Sequence, residues 1–215
     1  MPNGIPAAHA ALTEPIAVGW HAVQKARLTP DDVPLVIGCG PVGLAVIASL
    51  KISGAHPIIA ADFSPKRRAL AVEMGADIVV DPGEMSPSMS WHQAATPAGY
   101  DGSRYAQLFG FSPKLPPAVI FECVGVPGVI QQVIDGAPAG ARVVIVGVCM
   151  QTDQFEPFFG IVKQLKFTIR ARLYRGGVRR QPRPHRRGPD RRDAPDHGTC
   201  RAWVRERRLR RVGQS

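Results

Sequence analysis

The chain has 215 residues, of which 45% are hydrophobic and 20% are charged, and its formal net charge is +10. This length suits one domain with a hydrophobic core plus a tail. No apolar run of about 18 residues predicts a transmembrane helix, and the N-terminus lacks the pattern of a secretory signal. The four cysteines have no C-x-x-C spacing, so we expect a reduced, cytoplasmic protein without a disulfide framework.

The positive charge is concentrated in one segment. Residues 175–215 contain 14 arginines and four acidic residues, an excess that equals the net charge of the whole chain, whereas acids and bases balance over residues 1–174. This change in composition predicts a domain boundary near Tyr174. We expect a linking helix within residues 1–30, a sheet domain over 31–174 and a disordered basic tail over 175–215.

Hydrophobic patterning predicts strands that alternate with helices. Helical spacing starts at Thr13, and further helices are expected over 44–52, 66–74, 128–134 and 158–165. Apolar runs predict six strands, at 33–37, 57–61, 76–80, 118–122, 142–147 and 167–173. Residues 81–117 are polar and predict at most a short helix at 105–109. Such alternation favours an α/β fold of the Rossmann type, with a doubly wound parallel sheet.

A glycine motif follows the first predicted strand. Gly38, Gly40 and Gly43 have G-x-G-x-x-G spacing between that strand and a helix. The first glycine permits a tight turn, the second leaves room for a pyrophosphate, and the third lets the helix pack close to the strand. The free N–H groups of the helix N-terminus favour an anion there. This motif predicts dinucleotide binding.

An acidic residue stands where a dinucleotide site needs one. Asp62 ends the second predicted strand, 19 residues after Gly43. A carboxylate at this position binds the 2′-hydroxyl of the adenosine ribose and favours NAD over NADP. The alternative is that Asp62 only caps the following helix in another kind of α/β protein.

Five motifs in order resemble the medium-chain, zinc-type alcohol dehydrogenases, and threonine and sorbitol dehydrogenases look most similar. The motifs are Thr13-Glu14-Pro15 with Gly19–Val23, Gly38–Gly43, Met74–Asp77, Phe121–Gly125 and Val146–Val148. The resemblance extends from about residue 2 to residue 174. It implies NAD-dependent oxidation of an alcohol by hydride transfer, with a catalytic zinc that polarises the alcohol oxygen. The alcohol itself is left open.

The resemblance also implies roles for individual residues. The pyrophosphate would lie on the turn formed by Gly38, Gly40, Pro41, Val42 and Gly43. Asp62 would bind the ribose beside Arg67, and the nicotinamide would lie near Val124, Val146, Gly147 and Val148. Glu14 resembles a carboxylate near the catalytic zinc, although an acid in the first turn of a helix is equally expected from the helix dipole. His21 is expected to be a packed histidine rather than a ligand.

The family's N-terminal zinc-binding domain has no counterpart in this sequence. A catalytic zinc needs about three protein ligands, and the other histidines have no ligand-like spacing. We therefore expect the chain to be the NAD-binding half of a truncated dehydrogenase, without turnover of its own. Its sixth strand offers an edge for pairing with a second copy.

The arginine-rich segment has three interpretations. It could bind RNA or DNA through its arginines, but it has no lysine and one aromatic residue, Trp203, which disfavours nucleic acid as a partner. A frameshift near residue 174 is the preferred hypothesis, because a one-base shift lets degenerate codons encode a C-terminal segment like that of the family. A non-functional gene remnant is the third interpretation.

Overall fold

This computed structural model describes residue 4 and residues 6–97 and 115–169. Its helices are α1 (Ala7–Ala10), α2 (Thr13–Ala26), α3 (Pro41–Ile52), α4 (Pro65–Glu73), α5 (Pro87–Ala95), α6 (Val129–Gly136) and α7 (Pro157–Val162). Its strands are β1 (Val33–Ile37), β2 (Ile59–Ala61), β3 (Ile78–Val80), β4 (Ala118–Glu122), β5 (Arg142–Ile145) and β6 (Lys166–Ile169). No helix among the described residues is long and apolar enough to span a membrane.

The strands form one parallel sheet in the order β3-β2-β1-β4-β5-β6. The chain thus starts at the centre, moves outward to β3, returns to β4 beside β1, and moves outward again to β6. This arrangement confirms the predicted Rossmann-type doubly wound sheet. Because the direction reverses between β1 and β4, the carboxyl ends of these strands border the crevice in which such sheets bind ligands.

Helices cover both faces of the sheet. One hydrophobic cluster joins α2, α3 and α4 to the sheet, and a second joins α5 and α6 to its other face. The strands are mostly buried on both sides, as a parallel sheet requires. Residues with no exposed surface include Val36, Val46, Ile47, Leu50, Ile58, Ile59, Val119 and Phe121.

Helix α2 packs closely against α3. At Gly19, an added Cβ would lie 2.6 Å from the backbone carbonyl carbon of Ala45. Only a residue without a side chain allows the two helix backbones to approach so closely. The end of α2 is fastened by Arg142, whose Nη1 donates hydrogen bonds of 2.8 and 2.7 Å to the carbonyl oxygens of Ala26 and Arg27.

The sequence-based prediction of a loop after β3 was wrong, because helix α5 lies there. Ser86 caps α5 by accepting a hydrogen bond from the backbone N–H of Met89, and Pro87 occupies the first helical position. The buried Trp91 side chain then fixes the helix, since its Nε1 donates to the carbonyl oxygen of Val33 over 3.0 Å. Tertiary packing thus stabilises a helix in a segment of polar composition.

Other predicted boundaries shift by a few residues. Strands β2 and β3 each start two residues later than expected, α6 extends to Gly136, and α7 ends at Val162. The predicted sixth strand starts one residue earlier, at Lys166. The predicted helix at 105–109, the end of the sixth strand and the arginine-rich tail lie outside the described residues.

Candidate functional site

The glycine-rich turn joins β1 to α3. Gly38 has φ of 91°, a left-handed conformation that favours glycine. A Cβ on Gly43 would lie 1.8 Å from the carbonyl oxygen of Gly38, so α3 can start this close to the turn only with glycine there. Pro41 occupies the first helical position, where a missing N–H costs nothing. These residues therefore have the arrangement that the motif predicts.

Open space lies in front of the turn at Gly40. This residue has extended backbone angles, and a Cβ added to it would meet no described atom within 4 Å. Glycine is therefore not required at this position by the protein's own packing. The space adjoins the N-terminus of α3, where free N–H groups favour an anion. Val42, in the first turn of α3, turns its side chain towards the core.

Asp62 lies directly after β2 and is hydrogen-bonded to the glycine-rich turn. Its Oδ2 accepts a 2.8 Å hydrogen bond from the backbone N–H of Cys39, and its Oδ1 accepts one of the same length from Ser64. Its side chain is only 8% exposed. Arg67 Nη1 lies 3.6 Å from Oδ2, and the arginine side chain is 56% exposed. The carboxylate is thus fixed at the crevice beside a cation that solvent reaches.

A second arginine supports the same segment from α4. Arg68 Nη1 donates to the carbonyl oxygens of Asp62 and Phe63, over 2.8 and 2.9 Å, and pairs with Asp81 Oδ2 at 2.9 Å. Sequence analysis missed both Arg68 and Asp81. The signal was available, because Asp81 directly follows β3 just as Asp62 directly follows the neighbouring β2.

The loops that follow β4 and β5 are joined through Glu122. Its buried carboxylate accepts hydrogen bonds from the backbone N–H groups of Val124 and Gly125, over 2.7 and 2.8 Å. Its carbonyl oxygen accepts from Val146 and Gly147, each over 2.8 Å. Sequence analysis used Glu122 only as part of a motif and missed this role.

The valines predicted to flank the nicotinamide have different surroundings. Val124 and Val148 are exposed, whereas the side chain of Val146 is buried in the core. Gly147 allows the two loops to touch, since a Cβ there would lie 2.4 Å from the backbone nitrogen of Gly125. The apolar side chains of Val124 and Val148 are therefore exposed on two loops whose backbones are in contact.

Two thiols lie in the loops of the site, that of the buried Cys39 and that of the partly buried Cys123. Burial, together with the nearby Asp62 carboxylate, raises the pKa of the Cys39 thiol to about 12. Burial, followed by Glu122 and Cys39, also raises the pKa of the Cys123 thiol far above its usual range. Because the thiolate is the form that reacts and binds metals, both thiols are inert packing groups at neutral pH.

Glu14, which the resemblance places near zinc, does not form a metal site with the other described residues. Glu14 is exposed in the first turn of α2. His21 is partly buried, and its Nε2 has no hydrogen-bond partner among the described residues. Within residues 6–97 and 115–169, no three His, Cys, Asp or Glu side chains are grouped so as to hold a metal ion. The described residues therefore do not fit a catalytic zinc site.

Comparison with known proteins identifies the family. A family model described as zinc-binding dehydrogenase matches residues 41–179. The chain belongs to the zinc-binding dehydrogenases. This match supports the resemblance to the medium-chain, zinc-type alcohol dehydrogenases that the motifs at Gly38–Gly43 and Val146–Val148 indicated.

Individual members of this family are similar over most of the chain. (R,R)-Butanediol dehydrogenase of Bacillus subtilis is 33% identical over 164 residues, which are 76% of this chain and 42% of that protein. Sorbitol dehydrogenase of Ovis aries is 32% identical over 69% of this chain and 38% of its own length. The crystal structure of 2R,3R-butanediol dehydrogenase from Bacillus subtilis superposes with a TM-score of 0.58 and 31% identity, over 80% of this chain and 44% of that one. The chain thus spans less than half the length of these zinc-binding dehydrogenases.

Proposed function

We propose that the crevice between β1 and β4 binds NAD(H), as the cofactor site of a zinc-dependent alcohol or polyol dehydrogenase. The observation that carries this proposal is the position of Asp62, a carboxylate bonded to the backbone of Cys39 within the glycine-rich turn. A carboxylate that can accept from a ribose hydroxyl therefore lies beside a helix N-terminus that favours an anion. The names of the similar butanediol and sorbitol dehydrogenases support the class of reaction.

Each part of the crevice has a defined task in this proposal. The N–H groups at the start of α3 bind the pyrophosphate, and the open space at Gly40 lets the phosphates approach the backbone. Asp62 accepts a hydrogen bond from the adenosine ribose, next to Arg67. Val124, Gly147 and Val148, together with the backbone of Val146, flank the nicotinamide. When bound, the cofactor supplies the acceptor for a hydride from the alcohol.

The proposal includes a preference for NAD over NADP. A 2′-phosphate would be placed against the Asp62 carboxylate, which cannot donate a hydrogen bond while ionised and repels the phosphate charge. The nearest cation, Arg67, already lies 3.6 Å from that carboxylate. The Asp62–Arg67 pair therefore favours a ribose hydroxyl over a phosphate.

Two further features belong to the proposal. The exposed edge of β6, which carries Phe167 and Ile169, is a candidate surface for pairing with a second copy. The other is a cytoplasmic location, proposed because the cysteines of the sequence lack the spacing of a disulfide framework.

A pair of glycine variants tests cofactor binding. Gly40→Ala fills the open space without meeting a protein atom, so it should leave the thermal unfolding midpoint unchanged but weaken NADH binding at least about tenfold. Gly160→Ala, in α7, is the matched control, because its nearest neighbour is Phe167 at an ordinary 3.9 Å. NADH fluorescence titration measures both. Absence of saturable binding to the unaltered chain, or unchanged affinity in Gly40→Ala, would overturn the proposal.

A further inference from the structure

Two carboxylates stand side by side at the carboxyl ends of β2 and β3. Ala61 is the register partner of Val80, so Asp62 and Asp81 are the next residues of neighbouring strands. Each carboxylate pairs with an arginine from the first turn of α4, Asp62 with Arg67 and Asp81 with Arg68. The two pairs differ in accessibility, because Arg67 is 56% exposed whereas Arg68 is only 20% exposed.

The less exposed pair, Arg68 with Asp81, holds the segment that carries the ribose acceptor. Arg68 Nη1 donates to the carbonyl oxygens of Asp62 and Phe63. Asp81 is itself fixed, since its Oδ1 accepts a 2.9 Å hydrogen bond from the backbone N–H of Gly83 while Oδ2 pairs with Arg68. A carboxylate fixed by its own loop thus determines where the guanidinium lies.

We propose that Asp81 makes the crevice select NADH over NADPH, by holding the Arg68 guanidinium against the Asp62–Phe63 backbone. Asp81 is therefore a positioning residue that acts through Arg68. This inference rests on the proposed dinucleotide site and adds a selectivity residue that lies outside it. The Asp62 carboxylate disfavours NADPH by repelling its 2′-phosphate. Asp81 disfavours NADPH by pairing with Arg68, a cation that would otherwise bind this phosphate.

The chemistry of arginine explains why this cation matters. A guanidinium binds phosphate well, because its planar set of donors matches the phosphate oxygens. Arg68 is held away from this role because its Nη1 contacts two carbonyl oxygens and a carboxylate. Without the Asp81 charge, Arg68 becomes free to turn towards a 2′-phosphate, and the turn at Asp62 loses its support.

Two variants distinguish the effect of the Asp81 charge from that of the Arg68 cation. Asp81→Asn removes the charge with little change of shape, so NADH binding should weaken, NADPH binding should strengthen, and the NADPH-to-NADH ratio of dissociation constants should fall at least about tenfold. Arg68→Gln removes the cation itself, so NADH binding should weaken without any gain for NADPH. Asp77→Asn is the matched control. Asp77 lies just before β3, and its carboxylate pairs with His56 and accepts a hydrogen bond from the backbone N–H of Ile58.

A second measurement needs no cofactor. The amide protons of Cys39 and Ser64 are bonded to the Asp62 carboxylate, so their hydrogen exchange, followed by NMR, reports the position of Asp62 directly. Both should exchange several-fold faster in Asp81→Asn and Arg68→Gln and remain unchanged in Asp77→Asn.

The outcomes are distinct. If the unaltered chain binds neither dinucleotide, the proposed function fails, and the exchange rates still decide whether Asp81 positions Asp62. If Asp81→Asn keeps the original NADPH-to-NADH ratio, or if Arg68→Gln gains NADPH affinity equally, the selectivity role is wrong. Unchanged exchange at Cys39 and Ser64 would contradict the positioning role as well.

Discussion

The α-carbon of Gly43 faces the carbonyl oxygen of Gly38 so closely that a Cβ would lie 1.8 Å from that oxygen. Backbone atoms cannot move aside as a flexible side chain can. We therefore expect Gly43→Ala to push α3 away from β1 and to lower the free energy of unfolding by about 2–3 kcal/mol, the upper range for overpacking a core. Urea unfolding followed by circular dichroism measures this change.

Gly40→Ala is the internal control for that experiment. It lies in the same turn, but its Cβ has open space, so the unfolding midpoint should equal that of the unaltered chain. Equal stability of Gly43→Ala and Gly40→Ala would show that the turn relaxes without cost and would contradict the close approach of α3 to β1.

An ion pair between a buried aspartate and a partly buried arginine supports the opposite end of the sheet. Asp32, at the start of β1, is buried and pairs with Arg142, at the start of β5, and also accepts a hydrogen bond from the backbone N–H of Thr29. Asp32→Ala removes one partner and leaves the guanidinium without its counter-ion. Because breaking a buried pair is far more costly than its net contribution, we expect a loss of about 3 kcal/mol of unfolding free energy.

The adjacent Asp31 provides the comparison for Asp32. It is exposed, so Asp31→Ala should change the unfolding free energy by less than about 0.5 kcal/mol. Thermal and urea unfolding of the two variants should separate them clearly. Similar values for both would mean that the Asp32–Arg142 pair does not support the fold.

The order of strands and helices could be predicted because local patterns determine it. The apolar runs at 33–37 and 118–122 coincide with β1 and β4, and the glycine spacing predicted the turn before α3. Helix α5 starts with two local signals that the sequence analysis did not use, Ser86 and Pro87, but it is also held by the hydrogen bond from Trp91 to Val33, 58 positions away. Patterns within a short window contain no information about such a contact.

Some residues of the candidate site could likewise be predicted from the sequence, and others could not. Asp62 could be recognised by its distance from the glycines, which is a property of the sequence alone. The supports of the site, Arg68 with Asp81 and Glu122 with Gly147, depend on which strands are neighbours and in what register. Once the order β3-β2-β1-β4-β5 is known, Asp81 is found directly after β3, and Glu122 is found as the last residue of β4.

The buried Cys39 thiol makes the free energy of unfolding fall at alkaline pH. The pKa of Cys39 is raised from 9.0 to about 12 in the folded chain, mainly by burial. Between these values the unfolded chain releases the thiol proton and the folded chain retains it, so the unfolded state gains stability as pH rises. We expect the free energy of unfolding to be constant below about pH 9 with respect to this group and to fall between pH 9 and 12.

A cysteine variant and labelling check this prediction together. Cys39→Ala should reduce the fall in unfolding free energy above pH 9. At pH 8, iodoacetamide followed by mass spectrometry should modify Cys149 in the folded chain and leave Cys39 and Cys123 unmodified, since neither forms a thiolate there. Rapid modification of Cys39 at pH 8 would show that the glycine-rich turn opens far more readily than its packing implies.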